Sequence, residues 1–280
     1  MSSILPPLVL LAVFLGAFGV YCVLRALGKT KLEQVKHDRV FGPFLAGFLI
    51  WLLGPLERRM IGRVSPNVIT VISLAGCALT GAAVGIGALG AAAWLYGASG
   101  ILDILDGRLA RLGNKQTPAG ALLDSVSDRW GELFVFAGYT WYLHESLWLL
   151  TVLGAFGGSV MVSYTRARAE GLGVALSTGI MQRAERIVLV AVGTLAAAAC
   201  EPATAVWIVG VTMSTTGLLS IGTALSRWHT AYKMLVPPAP VVAAQTEPVR
   251  ALAAAGVNPG TSIAGAMPAT ADLRRPVEQH

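Results

Sequence analysis

Charge is scarce in this chain. Only 13% of its 280 residues are Asp, Glu, Lys or Arg, against roughly 25% in an ordinary soluble domain. Apolar residues make up 55% and the mean hydropathy is +0.66, which is the composition of a polytopic membrane protein. Cysteine is also sparse. Cys22, Cys77 and Cys200 all sit in apolar runs with no paired spacing. This argues against a disulfide framework or a zinc site and predicts buried small hydrophobes. The four histidines, His37, His144, His229 and His280, have no metal-ligand company. Internal repeats are not evident. The net charge of +6 is read as topology and attraction to anionic headgroups rather than as a nucleic-acid interface.

What is present is a series of apolar runs. A spanning helix needs about 20 mostly apolar residues, and candidates lie near 4–24, 67–86, 90–110, 121–143, 146–165, 186–200 and 203–226. The links "GIGALG", "LHES" and "CEPAT" between alternate spans contain no Lys or Arg. All 21 basic residues fall on the other side, which makes that side cytoplasmic and puts the N-terminus outside. The first run lacks a basic leading region and a small-residue cleavage site, so an uncleaved anchor is preferred over a signal peptide. Phe41 to Gly62 is apolar for about 16 residues, with Pro43 and Pro55 inside and basic residues on both flanks. It is read as an interfacial or re-entrant helix on the cytoplasmic face. Residues 236–280 are Ala- and Pro-rich with little periodicity, the pattern of a disordered tail. The expected architecture is all-α. A six-helix transmembrane core in residues 40–235 follows an N-terminal anchor and basic segment in 1–39.

The acidic residues are unevenly placed. Of only fifteen, four fall within "LDILDGRLARLGNKQTPAGALLDSVSDRW": Asp103, Asp106, Asp124 and Asp128. The first pair is spaced i, i+3 and the second i, i+4, so each pair shares a helix face. An antiparallel helix pair would present the two carboxylate pairs to each other at the membrane surface. Unpaired, such a group is costly. Two hard divalent cations, Mg²⁺ or Mn²⁺, would neutralise it and would form the two-metal arrangement that clamps a phosphoryl group. Gly107, Ala110 and Gly120 add room for close approach, and Arg111 adds a guanidinium suited to phosphate. The bland alternative is a charged loop with Asp–Arg pairs in headgroup water.

The string Asp-x2-Asp-Gly-x2-Ala-Arg-x8-Gly-x3-Asp-x3-Asp resembles the signature of the CDP-alcohol phosphatidyltransferases. The resemblance covers about residues 40–232. It implies an integral membrane enzyme, usually a homodimer, that moves a phosphatidyl group from CDP-diacylglycerol, or a phosphoalcohol from a CDP-alcohol, to a hydroxyl and releases CMP. It also implies roles for particular residues. Asp103, Asp106 and Asp124 would bind the metals, and Asp128 would share one and take the hydroxyl proton. Gly107, Ala110, Arg111, Thr117 and Gly120, with Asn67, Val68, Ile69 and Thr70, would lie at the nucleotide–lipid donor.

A basic cluster bears on the acceptor. Arg166 in "SYTRARAEGLG", Arg186 in "GIMQRAERIVLV" and Arg227 in "LSRWHTAYK" lie at cytoplasmic span ends. They are read either as topology anchors, with Glu170 and Glu185 pairing with them, or as phosphate ligands. The strings resemble the family branch that joins CDP-diacylglycerol to inositol 3-phosphate, in which these positions grip the acceptor phosphate. Sister activities with glycerol 3-phosphate, another sugar-alcohol phosphate or an ether-lipid donor remain open. So do two non-enzymatic readings, a divalent-metal carrier and an inactive lipid-binding scaffold. The implied location is the plasma membrane with the site facing the cytoplasm, and no nucleic-acid partner.

Overall fold

The computed structural model describes residues 5–28, 42–176 and 179–236. The proposed tail from residue 237 onward and most of the basic segment before residue 40 lie outside the described residues. Among the described residues there are eight α-helices and no strand. They are α1 (Leu5–Ala26), α2 (Gly42–Met60), α3 (Pro66–Gly85), α4 (Leu89–Leu112), α5 (Pro118–Tyr142), α6 (Leu149–Glu170), α7 (Arg183–Ala198) and α8 (Pro202–Leu235).

Local sequence explains the helix ends near the aspartates. Ser65-Pro66 and Thr117-Pro118 open α3 and α5 with a Ser or Thr cap followed by proline at the first helical position, where its missing N–H costs nothing. The Thr117 hydroxyl accepts from the Gly120 N–H at 3.0 Å. The linker after α4 turns through Gly113 and through Asn114 at φ 50°, a left-handed conformation that Asn tolerates better than most residues.

Packing between helices relies on small residues. A Cβ added at Gly81 of α3 would sit 2.2 Å from the Phe134 carbonyl oxygen of α5, and one at Gly138 of α5 would sit 2.2 Å from the Gly81 oxygen. The two backbones therefore touch where neither has a side chain. A similar contact joins Gly158 of α6 to Ser220 of α8. Hydroxyl groups lie among the buried apolar side chains. Ser99, Ser159, Thr194, Thr216 and Ser220 are buried, whereas Leu122, Trp141, Leu150, Trp207 and Leu218 face outward. So many large apolar side chains on the outside suit lipid better than water. In lipid, apolar side chains gain nothing by hiding, and helices associate through small residues and hydroxyls.

Two helices, α3 and α8, are long and apolar enough among the described residues to cross a membrane. The sequence reading expects seven spans. Among the others, α4 and α5 carry Asp and Arg residues within their own length, α7 has 16 residues, and the fully described part of α1, Gly16–Ala26, is apolar but short. Residues 42–60 form one helix across Pro55. Through Phe48 and Trp51 it packs against Tyr21 of α1. The cysteine expectation needs one correction. Cys77 is buried and Cys22 half-buried, but Cys200 is exposed, because it follows the C-terminal end of α7 in the short link to α8.

The expected face-to-face pair of aspartate helices also differs from what is found. Both α4 and α5 pack mainly on α3 rather than on each other. The reason is local. Gly76 and Ser73 of α3 meet Ser99 of α4, with the Ser73 hydroxyl donating to the Ser99 carbonyl at 2.9 Å. An adjoining face of α3, through Cys77 and Gly81, meets Gly131 and Gly138 of α5.

Candidate active site

The acidic residues meet where α4 and α5 approach the N-terminal end of α3. Asp106 is 3% exposed, and its Oδ2 accepts a hydrogen bond from Thr70 Oγ1 at 2.6 Å. Asp103, one helical turn earlier, and Asp124 of α5 are half-buried. One carboxylate oxygen from each of Asp103, Asp106 and Asp124 lies within 4.8 Å of the others. Three converging oxygen donors, with no nitrogen or sulfur among them, fit a hard divalent cation.

Asp128 differs from the expected fourfold set. It is not one of the three converging residues. Its Oδ1 is held by Arg183 Nη1, the same nitrogen that contacts Asp103 Oδ1. Its Oδ2 accepts from Arg129 at 3.2 Å. A small cleft opens between Thr70, Asp103, Asp128 and Arg183, with Ser73 and Cys77 in its wall.

The proposed donor-binding residues fall into two groups. Arg111 folds back over Gly107, where an added Cβ would lie 3.4 Å from Nη1. Gly120 is bordered by Thr117 Oγ1 and Asn67 Oδ1, at 3.1 and 3.4 Å from an added Cβ. Asn67, Thr117 and Gly120 are thus brought together. Ala110 is half-buried and Val68 exposed. Ile69 is packed with Leu105 and Leu109, which seats α3 on α4 directly beneath the acids.

The three acceptor arginines behave differently from one another. Arg166 is exposed and pairs with Glu170 at 2.8 Å across one turn. Arg186 is buried, paired with Glu132, and donates to the Met181 carbonyl at 3.2 Å. Arg227 is buried and donates to the Val162 carbonyl at 2.8 Å. The charges of Arg166 and Arg186 both bear on Arg227, so the three lie within electrostatic reach. Arg186 and Arg227 lie within helices rather than at the ends of spans. Helix α7 starts at Arg183, three residues earlier than the expected span, and α8 runs on to Leu235, so Arg227 lies inside the helix. Of the expected glutamate pairings, Glu170 pairs with Arg166, whereas Glu185 is buried with Oε2 unpartnered.

Sequence reading missed Arg183 and Glu132 as partners of these groups. The signal was present as spacing. Asp124, Asp128 and Glu132 recur every four residues along α5, and Arg183 and Arg186 are three apart on α7. The result is a ladder in which Arg183 holds Asp128 and Arg186 holds Glu132. A further ion pair, Arg108 with Glu57, ties α2 to α4.

The family model for CDP-alcohol phosphatidyltransferase matches residues 63–222, which include Asp103, Asp106, Asp124, Asp128 and Glu132. The archaetidylinositol phosphate synthase of Methanothermobacter thermautotrophicus is 36% identical over 154 residues, covering 53% of this chain and 78% of that protein. The phosphatidylinositol phosphate synthase of Mycolicibacterium smegmatis is 36% identical over 134 residues, covering 46% of this chain and 60% of that one. Among solved structures, the phosphatidylinositol phosphate synthase of Mycobacterium tuberculosis with CDP-DAG bound superposes with a TM-score of 0.59 at 25% identity, covering 68% of this chain and 99% of that one. The same enzyme in complex with manganese and citrate gives 0.58 at 25% identity, covering 66% and 92%.

Proposed function

Because the chain belongs to the CDP-alcohol phosphatidyltransferase family and is an enzyme of that class, we propose that it joins CDP-diacylglycerol to inositol 3-phosphate. The products would be a phosphatidylinositol phosphate and CMP, made at the cytoplasmic face of the plasma membrane. The observation that carries this reading is the joining of two charge clusters by one ladder. Three carboxylates converge for cations, and Arg227 of α8, buried against α6, lies within electrostatic reach of Arg166 and Arg186. Asp128 and Glu132, each held by an arginine of α7, connect them.

Asp103, Asp106 and Asp124 would hold divalent cations, as a relative's complex with manganese supports. Bound there, such ions would polarise the diphosphate and stabilise the departing CMP. The protein's own groups do the rest. Thr70 keeps one Asp106 oxygen occupied and so limits how that carboxylate turns. Gly107 leaves room beside Arg111 for a nucleotide phosphate, and Asn67, Thr117 and Gly120 form the neighbouring polar corner. Arg166, Arg186 and Arg227 grip the acceptor phosphate through charge-assisted hydrogen bonds. That grip directs a ring hydroxyl toward Asp128, whose carboxylate takes the hydroxyl proton. The oxygen then attacks the lipid-bearing phosphorus, and the bond to CMP breaks.

The proposal includes a homodimer, an outside N-terminus with α1 as an added anchor, and α2 lying in the cytoplasmic interface. The catalytic reading is tested by CMP release from CDP-diacylglycerol with inositol 3-phosphate, inositol, glycerol 3-phosphate or serine as acceptor. Release with inositol 3-phosphate alone is expected. Release with another phosphorylated acceptor instead would overturn the inositol assignment, and release with serine alone would overturn the phosphate-binding role of the arginines.

A further inference from the structure

Arg183 occupies a position that its residue type does not require. One nitrogen, Nη1, contacts both Asp103 Oδ1 and Asp128 Oδ1. Asp103 is also one of the three residues whose oxygens converge for a cation. The guanidinium therefore holds a carboxylate that a cation at the same site would need. Its Nε is buried and has no hydrogen-bond partner, so only part of the fork is in use. The charge of Glu132, one turn below Asp128, also bears on Arg183, so the side chain is not stranded if it gives up Asp103.

We propose that Arg183 is the built-in counter-cation of the acidic site. It neutralises Asp103 and Asp128 before a divalent ion is bound, yields Asp103 to that ion, and afterwards keeps Asp128 oriented beside it. Arg183 is thus a positioning residue acting through Asp128. The physical argument is a competition. Several carboxylates brought together out of water are unstable without positive charge. A guanidinium supplied by α7 lets the protein fold before metal arrives, at the expense of affinity for the metal. The proposal rests on the reading of Asp103, Asp106 and Asp124 as a cation site.

The sign of one measurement separates this role from a merely structural one. If Arg183 only held the carboxylates in place, removing it would loosen the site and weaken cation binding. If Arg183 competes, removing it strengthens binding, because both the displacement and the repulsion between like charges disappear. The test uses the purified full chain in detergent micelles, stripped with a chelator. Mn²⁺ is then titrated, and the free ion is followed by its paramagnetic resonance signal. Arg183→Gln is expected to bind Mn²⁺ about tenfold tighter or more, the factor associated with losing one charge-assisted contact. Asp103→Asn should bind it more weakly than the wild type. Without metal, Arg183→Gln should melt at a lower temperature than the wild type, and Mn²⁺ should raise its melting temperature by the larger increment. Arg183→Met, which also removes the charge but keeps a side chain of similar length, guards against failure of the first variant to fold, and it too should bind Mn²⁺ more tightly than the wild type. Equal or weaker binding in the variants overturns the proposal and leaves the cation site standing. Absence of Mn²⁺ binding in wild type and variants alike overturns both. CMP release by the wild type reports separately on the catalytic reading.

Discussion

Breaking the Glu132–Arg186 pair by truncating either partner should destabilise the protein far more than removing both. Glu132 is 4% and Arg186 2% exposed, and the two are in direct contact. Glu132→Met leaves a guanidinium enclosed by α5 and α7 with the Met181 carbonyl at 3.2 Å as its acceptor. Arg186→Met leaves a carboxylate enclosed without the cation that held it. Removing one partner of a buried pair costs about 3–5 kcal/mol, because the desolvated charge that remains is uncompensated. For chains of 150–250 residues each kcal/mol moves the melting temperature by roughly 2–4 °C, so a drop of about 6–20 °C is expected for either single variant. The double variant Glu132→Met/Arg186→Met buries apolar groups of similar volume and no charge. Such replacements are often neutral, so the double variant should melt above both single variants. Tryptophan fluorescence during heating in detergent provides the assay, and the four proteins form one thermodynamic cycle. Single variants within about 1 kcal/mol of the wild type, or a double variant as unstable as the sum of the two, would refute the reasoning. The folded double variant also lacks one phosphate-gripping arginine. Its acceptor KM should therefore rise while its stability recovers.

Three further outcomes are expected. Asp128→Asn should reduce CMP release by about 10²–10⁴-fold, the usual worth of a general base. Near-normal release would remove Asp128 from that role. Gly81→Ala places a Cβ 2.2 Å from the Phe134 oxygen, so α3 and α5 must part by about 1 Å or more to reach ordinary contact. A loss of about 1–3 kcal/mol is expected, read as a lower melting temperature, whereas Gly97→Ala, with nothing within 4 Å of the added Cβ, should be neutral or slightly stabilising. Arg227→Ala should raise the acceptor KM about 10- to 150-fold with little change in the CDP-diacylglycerol KM. Equal loss toward both substrates in steady-state kinetics would sink the acceptor assignment.

Much of the site was legible in the amino-acid sequence because its chemistry is local. Asp103 and Asp106 are one turn apart, as are Asp124 and Asp128, and Thr117-Pro118 marks where the second helix must begin. Helical periodicity alone converts those spacings into shared faces. The same holds for the helical class of the fold, since the apolar runs and the breaks between them are set by composition along the chain. The small residues at positions 81 and 138 were visible too, but not that they face each other.

Only the tertiary structure decided which charges meet. Arg183 and Asp103 are 80 residues apart, and Arg186 and Glu132 are 54 apart. In the sequence, an arginine at the end of an apolar run looks the same whether it anchors the helix in headgroups, grips a phosphate or neutralises a buried acid. Arg166, exposed and paired one turn along its own helix, and Arg186, enclosed against α5, lie in very different surroundings although the sequence presents them alike. The path of α3 between α4 and α5 could not be read either, because it depends on where Gly76, Gly81, Gly131 and Gly138 let backbones touch. That path delivers Thr70 to Asp106 and leaves Asp128 to Arg183. Spacing along a helix is determined by the 3.6-residue turn, so the sequence by itself determined the carboxylate pairs. Partnership across helices is determined by which surfaces fit at closest approach, a property of the packed helices together and of no single segment.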